Sequence, residues 1–278
     1  MTRKHNIIIV GAGLFGNVAA ALARAEGHKV TVVADARPYR ASPASGCVLA
    51  PSWLSALENK DVATAMAILD SLYGLKPMEF TGTLGIKFKA QRVHTPDVLK
   101  EPDIEGQVTR VDDGVIQYSN SKGAHNIPLR GKVLVCAGIW CGELLKGLPP
   151  IRGLYGASLR IKGSLDVPRI NVWAPYRQAV AFTMQPGQVW FGDGSALIEK
   201  TWRTEERERI QATVLRAQAM GINRTGSVVS HSGARPYMKG HMGYMERVTP
   251  NTWVSTGGAK NGTALAALQA YKFLKELP

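Results

Sequence analysis

The residues with the most specific chemistry stand near the N-terminus. Gly11, Gly13 and Gly16 fall in the spacing GAGLFG, with Ala12, Leu14 and Phe15 between them. Each glycine of such a loop has its own task. The first permits a tight turn, the second lets the backbone approach a pyrophosphate, and the third lets helix pack closely on strand. The helix start then offers unpaired N–H groups to the anion. The spacing is informative only inside the right frame. Here Asn6–Val10 reads as a short, branched, apolar parallel strand, and a helix should follow to about Glu26, stopped by Gly27. Residues 29–33 (KVTVV) make a second strand, and Asp35 comes nineteen positions after Gly16, where an acid can read a ribose hydroxyl. The ligand implied is a dinucleotide; the motif does not say which.

Further candidates lie along the chain. Residues 42–53 (SPASGCVLAPSW) include Ala44, Ser45 and Gly46, small enough for a loop to lie flat against a bulky ring or a pyrophosphate. Residues 132–137 (KVLVCA) read as a buried strand ending on Ala137, with Gly138, Ile139, Trp140 and a helix-like CGELL after it. Thr252–Thr256 reads as a strand, followed by Gly258, Ala259, Lys260, Asn261 and Gly262 in GGAKNG and an Ala/Leu-rich helix over 263–276. A second glycine-flanked helix start can set another positive dipole end against a cofactor. A reduced flavin, negative near its pyrimidine ring, suits such an end. The six histidines are scattered and form no Ser/His/Asp or Cys/His constellation. Cys47, Cys136 and Cys141 lack metal-ligand spacing, so no metal is expected, and their odd number without a disulfide pattern fits a reducing compartment.

These pieces need a scaffold of ordinary soluble composition. The 278 residues, 45% hydrophobic and 20% charged, suffice for one large domain or two interleaved ones. Arg3 and Lys4 ahead of an apolar stretch superficially resemble a secretory signal, but the glycine spacing explains that stretch better. No other stretch is long and apolar enough to span a bilayer, so no membrane partner is expected and the cytoplasm is the expected location, the host's if the chain is phage-encoded. Thirty-four Lys plus Arg against 21 Asp plus Glu give a formal charge of +13, a field that attracts polyanions and brings nucleic acid into consideration. In the second half, strands are expected at 157–161, 180–183 and 189–192, and Thr204 is expected to cap a helix reaching about Met220.

Taken together the segments resemble the D-amino acid oxidase and glycine oxidase family of flavoenzymes. The resemblance rests on IIIVGAGLFG, SGCVLAP, VLVCAGIWCGELL, PIRG at 151–153 and its preceding proline, GARP at 233–236 and TGGAKNG, in the family's order. It implies an α/β fold: a Rossmann-like FAD-binding domain with an interleaved, reduced antiparallel-sheet substrate domain. The FAD-binding parts would be 1–56, 101–150 and 233–278, and the substrate domain 57–100 and 151–232. Non-covalent FAD would be held by Gly11, Ala12, Gly13, Leu14, Phe15, Gly16, Asp35, Ala44, Ser45, Gly46, Val108 (near the adenine), Ala137, Gly138, Trp140, Arg235, Gly258, Ala259, Lys260, Asn261 and Gly262. Arg235 matches the family's arginine that clamps the substrate carboxylate, a task for a planar bidentate donor. Tyr155, Tyr237 and Tyr244 are candidates for substrate hydrogen bonds, with packing as the alternative for each.

Two departures bear on this. The family's usual glutamate falls at Ala34, and the nearest acid, Asp35, is one residue later on a strand whose side chains alternate. The stretch 53–106 is short, which predicts a small cap and an open site. In the family the amine binds neutral, hydride passes to flavin and the imine is hydrolysed, with no obligatory enzyme acid or base. Three functions stay open: a flavoenzyme acting on a glycine-like amine carried on DNA or tRNA, as the oxidase domain of a tRNA wobble-uridine enzyme does; an oxidase of free glycine, sarcosine or a D-amino acid; and a non-catalytic FAD-binding protein.

Overall fold

The computed structural model describes residues 3–35, 40–50, 54–82, 85–112, 114–128, 130–174, 177–192, 196–198 and 202–278. The last part of the expected flavin loop, 51–53, lies outside them. Along the chain the elements run β1 (Asn6–Val10), α1 (Leu14–Ala25), β2 (Lys29–Ala34), β3 (Val48–Leu49), α2 (Asn59–Tyr73), β4 (Lys76–Gly82), β5 (Lys87–Arg92) and α3 (Thr95–Val98). There follow β6 (Ile104–Glu105), β7 (Gln107–Asp112), β8 (Val115–Asn120), β9 (Gly123–Pro128), β10 (Lys132–Val135) and α4 (Cys141–Leu144). The second half holds β11 (Arg152–Ser164), β12 (Arg169–Ala174), β13 (Arg177–Gln185), β14 (Gln188–Gly192), β15 (Ala196–Ile198) and α5 (Trp202–Gln218). It ends with β16 (Asn223–Tyr237), β17 (Tyr244–Thr249), β18 (Thr252–Thr256) and α6 (Gly262–Lys275).

The first sheet has the order β17-β18-β10-β1-β2-β6, with β1 parallel to β2 and β10. Continuous branched strands suit this place because both faces are covered. Ile7, Ile9, Leu134 and Trp253 pack toward the helices, in one cluster with Val18 of α1 and Phe273 of α6. Ile8, Val10, Val133 and Val254 point the other way, against Val108, Val111 and Ile116 of the three-stranded β7-β8-β9 sheet. Helices α1 and α6 pack on each other. Both carry buried alanines, Ala19, Ala20 and Ala23 on the first and Ala264, Ala267 and Ala270 on the second, small enough to let two helices approach closely. Gly27, at φ +83°, ends the first helix in the left-handed region that glycine enters without steric cost.

The second sheet runs β15-β11-β14-β13-β12-β4-β5-β3, with β16 on the opposite edge of β11 from β14. Its two faces have different coverings. Leu159, Ile161, Ala181, Val189 and Phe191 pack with Ala217 and Met220 beside α5, while Phe182, Val180 and Trp190 join Phe80 and Ala90 on the other side. The strands expected here are longer than the apolar runs suggested, because β11 carries Arg160 and Lys162 through its middle. Helix α5 begins at Trp202, so Thr204 is already inside it and is not its cap. Sheet membership also crosses the expected segment limits: β3 belongs to the second sheet, and β16 passes through 232/233 without a break.

Candidate functional site

The glycine loop at the end of β1 is held by geometry that side chains would block. Gly11 sits at φ +113°, and a Cβ there would lie 2.5 Å from the Cys136 carbonyl oxygen. A Cβ on Gly16 would come within 1.8 Å of the Gly11 carbonyl oxygen. The Gly11 amide donates to the Val33 carbonyl at 2.8 Å, fixing the loop to β2. Helix α1 then starts with its N-terminal turn toward open space. No acidic side chain stands in that turn, and the Leu14 amide donates to Ser42 Oγ at 2.8 Å. The positive end of the helix dipole is therefore left for an external anion.

That space is a cavity of about 270 Å³ between the two sheets. Five separate stretches wall it: 13–15, 40–42 with 45–48, 136–140, 234–236, and 255–263 in part; Val180, Trp190 and Gly192 of the second sheet complete it. Among the described residues only Cys47 (φ +47°) and Ala259 (φ +41°) are non-glycines in the left-handed region, and both are on this wall. Such a conformation costs about 1–2 kcal/mol per residue, and local bonds hold it. The Cys47 amide donates to Ser45 Oγ at 3.1 Å, and the Ala259 amide to the Pro236 carbonyl at 3.0 Å. Glycine at 46 allows close packing: an added Cβ would be 3.2 Å from both Phe182 and Trp190 ring carbons, which would have to shift by a few tenths of an ångström.

The ionisable groups among the described lining residues are Arg40, Arg235, Lys260, Cys47 and Cys136. Burial pushes the Cys47 and Cys136 thiols up, so both stay protonated and neither is a nucleophile. Lys260, an exposed residue of the wall, has its pKa held below the ordinary lysine value by desolvation and then by the Arg235 guanidinium. Two cations facing one small space favour an anion between them.

Gly13, Leu14, Phe15, Ser45, Gly46, Ala137, Gly138, Trp140, Arg235, Gly258, Ala259, Lys260 and Gly262 all line this cavity. Gly11, Ala12 and Gly16 stand behind them and shape the loop; the Ala12 carbonyl accepts from Asn17 Nδ2 at 2.7 Å. Ala44 is buried under the turn, and Asn261 precedes α6, with its Nδ2 near Met242 Sδ at 3.6 Å. Asp35 follows the last residue of β2 and is off the wall, and the Val108 side chain is buried in the core beyond the first sheet. None of the three tyrosines lines the cavity. Tyr155 has the strand parity of Leu159 and Ile161, so it lies, 2% exposed, on the α5 face of β11. Tyr237 stands at the far end of β16. Tyr244 donates its hydroxyl to Glu246 Oε2, and desolvation together with that carboxylate pushes it up to about 12. The wall also contains Arg40, Ser42, Val48, Trp190, Gly192, Ser255 and Thr263, which no motif singled out. Ser42 and Val48 sat inside a quoted loop; Trp190 and Gly192 sat in an expected strand with nothing to say which face would meet the site.

The wall fits an FAD: a cradle that a Cβ would fill at Gly11 and Gly16, a helix start without an acidic side chain for the diphosphate, and small and aromatic residues along the rest of the wall. Comparison with known proteins agrees. The family model described as FAD dependent oxidoreductase matches residues 93–271. No curated protein matches the chain. Among solved structures, glycine oxidase from Geobacillus kaustophilus superposes with a TM-score of 0.66 at 13% identity, over 99% of this chain and 94% of that one. Iminodiacetate oxidase from Chelativorans sp. gives 0.64 at 16% identity, over 98% and 97%. Glycerol-3-phosphate dehydrogenase from Bacillus halodurans, complexed with FAD, gives 0.63 at 15% identity, over 99% of this chain and 66% of that one. At these identities the likeness is one of fold.

Proposed function

The chain belongs to the family of FAD-dependent oxidoreductases, and from that premise we propose that it oxidises the carbon–nitrogen bond of a glycine-like amine. The observation that carries the reading is the pairing of Arg235 and Lys260 on the wall of a cavity with no acidic group among its described lining residues. A substrate carboxylate answers both cations, and the planar guanidinium of Arg235 can take it in two parallel hydrogen bonds. With its acid group held there, the rest of the amine would enter the chamber that 45–48, Trp190 and Gly192 also line.

The division of labour follows from the wall. The loop 11–16 and the start of α1 would hold the diphosphate; residues 45–48 and 258–262 would border the ring. Bound FAD supplies the two-electron acceptor for the hydride that leaves the alpha carbon. This chain's residues bind and orient the substrate, and the apolar part of the wall excludes water from the transfer. Arg235 holds the acid group, and Lys260, whose proton is held less firmly than usual, is the wall group best placed to exchange one with solvent at Nζ. Water entering afterwards hydrolyses the imine.

The finer reading is that the amine is carried on a base of DNA or tRNA. The formal charge of +13 supports it, as does the exposed Arg40 at the cavity wall, since a cationic approach speeds capture of a polyanion. The experiment offers the anaerobic FAD-loaded protein glycine, N-substituted glycines and a glycyl-modified oligonucleotide, and follows bleaching of the flavin. The expected result is bleaching by the oligonucleotide with strong dependence on salt. Bleaching by free amino acids alone would identify a small-molecule oxidase and remove the nucleic-acid reading. No bleaching by any amine would remove the catalytic one.

A further inference from the structure

Three buried polar atoms on one face of the second sheet lie just past the cavity wall. Among the described residues Ser158 Oγ, Arg160 Nε and Trp190 Nε1 have no hydrogen-bond partner. Ser158 is 2% exposed and Trp190 8% exposed, so water does not satisfy them in bulk. An orphaned buried polar atom is costly, and three on one face of a sheet ask for an acceptor.

Strand register puts them side by side. Ser158 is directly opposite Gly192 on β14 and His231 on β16, and Gly192 is opposite Val180. Arg160 is directly opposite Trp190, which is opposite Phe182. Directly opposed residues share a face, and Val180, Trp190 and Gly192 all line the cavity. Ser158 and Arg160 therefore lie on the cavity side of the sheet, directly beside the wall residues Gly192 and Trp190, whose ring lies against Gly192. The guanidinium also reaches the Pro43 carbonyl through Nη2 at 3.5 Å, under the turn that supports α1. Its neighbour His231 is kept toward the neutral form by burial and then by Arg160, so the positive charge here is that of Arg160.

We propose that Ser158, Arg160 and the Trp190 indole form a second anion-reading arm of the cavity, which takes a phosphate of the nucleotide that carries the amine. The proposal rests on the nucleic-acid reading above. Spacing selects that class of substrate. Arg235 is opposite Leu154 on β11, so Ser158 and Arg160 stand four and six residues further along the strand, roughly 13 and 20 Å away at about 3.3 Å per residue. A free amino acid cannot reach both arms; a nucleotide with a glycine-type substituent on its base, carrying a free carboxylate at one end and its phosphate at the other, can.

The test titrates the FAD-loaded protein with a uridine bearing a glycine-type substituent on the base, and with the same nucleoside as its 5′-monophosphate, at fixed ionic strength. Binding is read from the flavin absorbance change and by calorimetry. The wild type should prefer the monophosphate at least tenfold. Ser158→Ala and Trp190→Phe, which leave the net charge unchanged, should each cut that ratio severalfold, and Arg160→Met should bring it near one. Flavin content reports whether each variant has folded. A wild-type ratio near one, or a ratio that survives all three changes, overturns the arm while leaving the nucleoside reading intact. Failure of both nucleosides to bind, with N-methylglycine still bleaching the flavin, overturns the nucleic-acid reading and the arm with it.

Discussion

At the scale of single residues, Arg235 is the side chain on which the proposed chemistry turns. Replacing it with Met removes charge-assisted hydrogen bonds that are typically worth about 1.5–3 kcal/mol. Steady-state kinetics with the reactive amine should show kcat/KM lower by about tenfold to a hundredfold or more, with bound FAD retained. Normal kinetics in that variant would remove Arg235 from the substrate site. The sheet histidine offers a pH test. His231 has its pKa lowered, first by burial and then by Arg160. A folded-state pKa below the unfolded one means that the unfolded chain binds more protons between the two values. Stability therefore rises with pH through that window, and the full penalty is present below it. Urea denaturation followed from mildly acidic to neutral pH should show this rise, and His231→Gln should flatten it. In Arg160→Met the His231 ring resonances should titrate at higher pH than in wild type.

The elements set the loop that grips the diphosphate, and here the glycines differ in what they tolerate. Gly16→Ala puts a methyl 1.8 Å from a backbone oxygen, where nothing flexible can yield. Overpacking of this kind costs about 1–3 kcal/mol and more when backbone must move, so purified G16A should emerge without FAD. Gly13→Ala meets only Ser42 Oγ, at 3.0 Å. It should keep FAD with modestly weaker affinity, measured by fluorescence on reconstitution. At the other end of the cavity, Ala259 holds φ +41°. The left-handed region costs about 1–2 kcal/mol for a residue with a Cβ, and glycine's extra chain freedom returns part of that. Ala259→Gly should thus raise the stability of the apo-protein by up to about 1 kcal/mol in urea melts. A loss of stability would mean that its methyl is packed more tightly than its exposure suggests.

The whole molecule is organised around a cavity that neither sheet makes alone. Its wall takes 13–15 and 136–140 from ends of the first sheet, and Val180, Trp190 and Gly192 from the second. A ligand there binds only the native arrangement, so FAD should stabilise both sheets together, by about 2.7 kcal/mol at roughly 100 times its Kd. Calorimetry should show a higher Tm with FAD and one transition where the apo-protein melts less cooperatively. An unchanged Tm would place the flavin elsewhere. At this scale much of the fold was legible. The β1–α1–β2 unit, the strand before Gly138 and the final strand–helix pair all read directly from apolar runs punctuated by glycine. Less legible were the faces of the second sheet. Both are apolar, one against α5 and one toward the cavity, so alternation alone gave no way to choose between them. For that reason the sequence offers Tyr155 as a candidate for the site and gives Trp190 no functional signal.

What the chain determined by itself is the dinucleotide cradle. Gly11 to Gly16 lie in one short loop; Gly16 is limited by the Gly11 carbonyl within the same unit and Gly11 by the Cys136 carbonyl at the end of the neighbouring strand, and only Gly13, against Ser42, depends on a loop elsewhere. The tertiary structure alone decided what that cradle faces. Arg235 and Lys260 meet the loop 40–48 only because β16 pairs along the length of β11 and β18 pairs with β10. Those registers are set by contacts between residues far apart in the chain. A shift of one residue in either would turn every side chain on the strand to its opposite face.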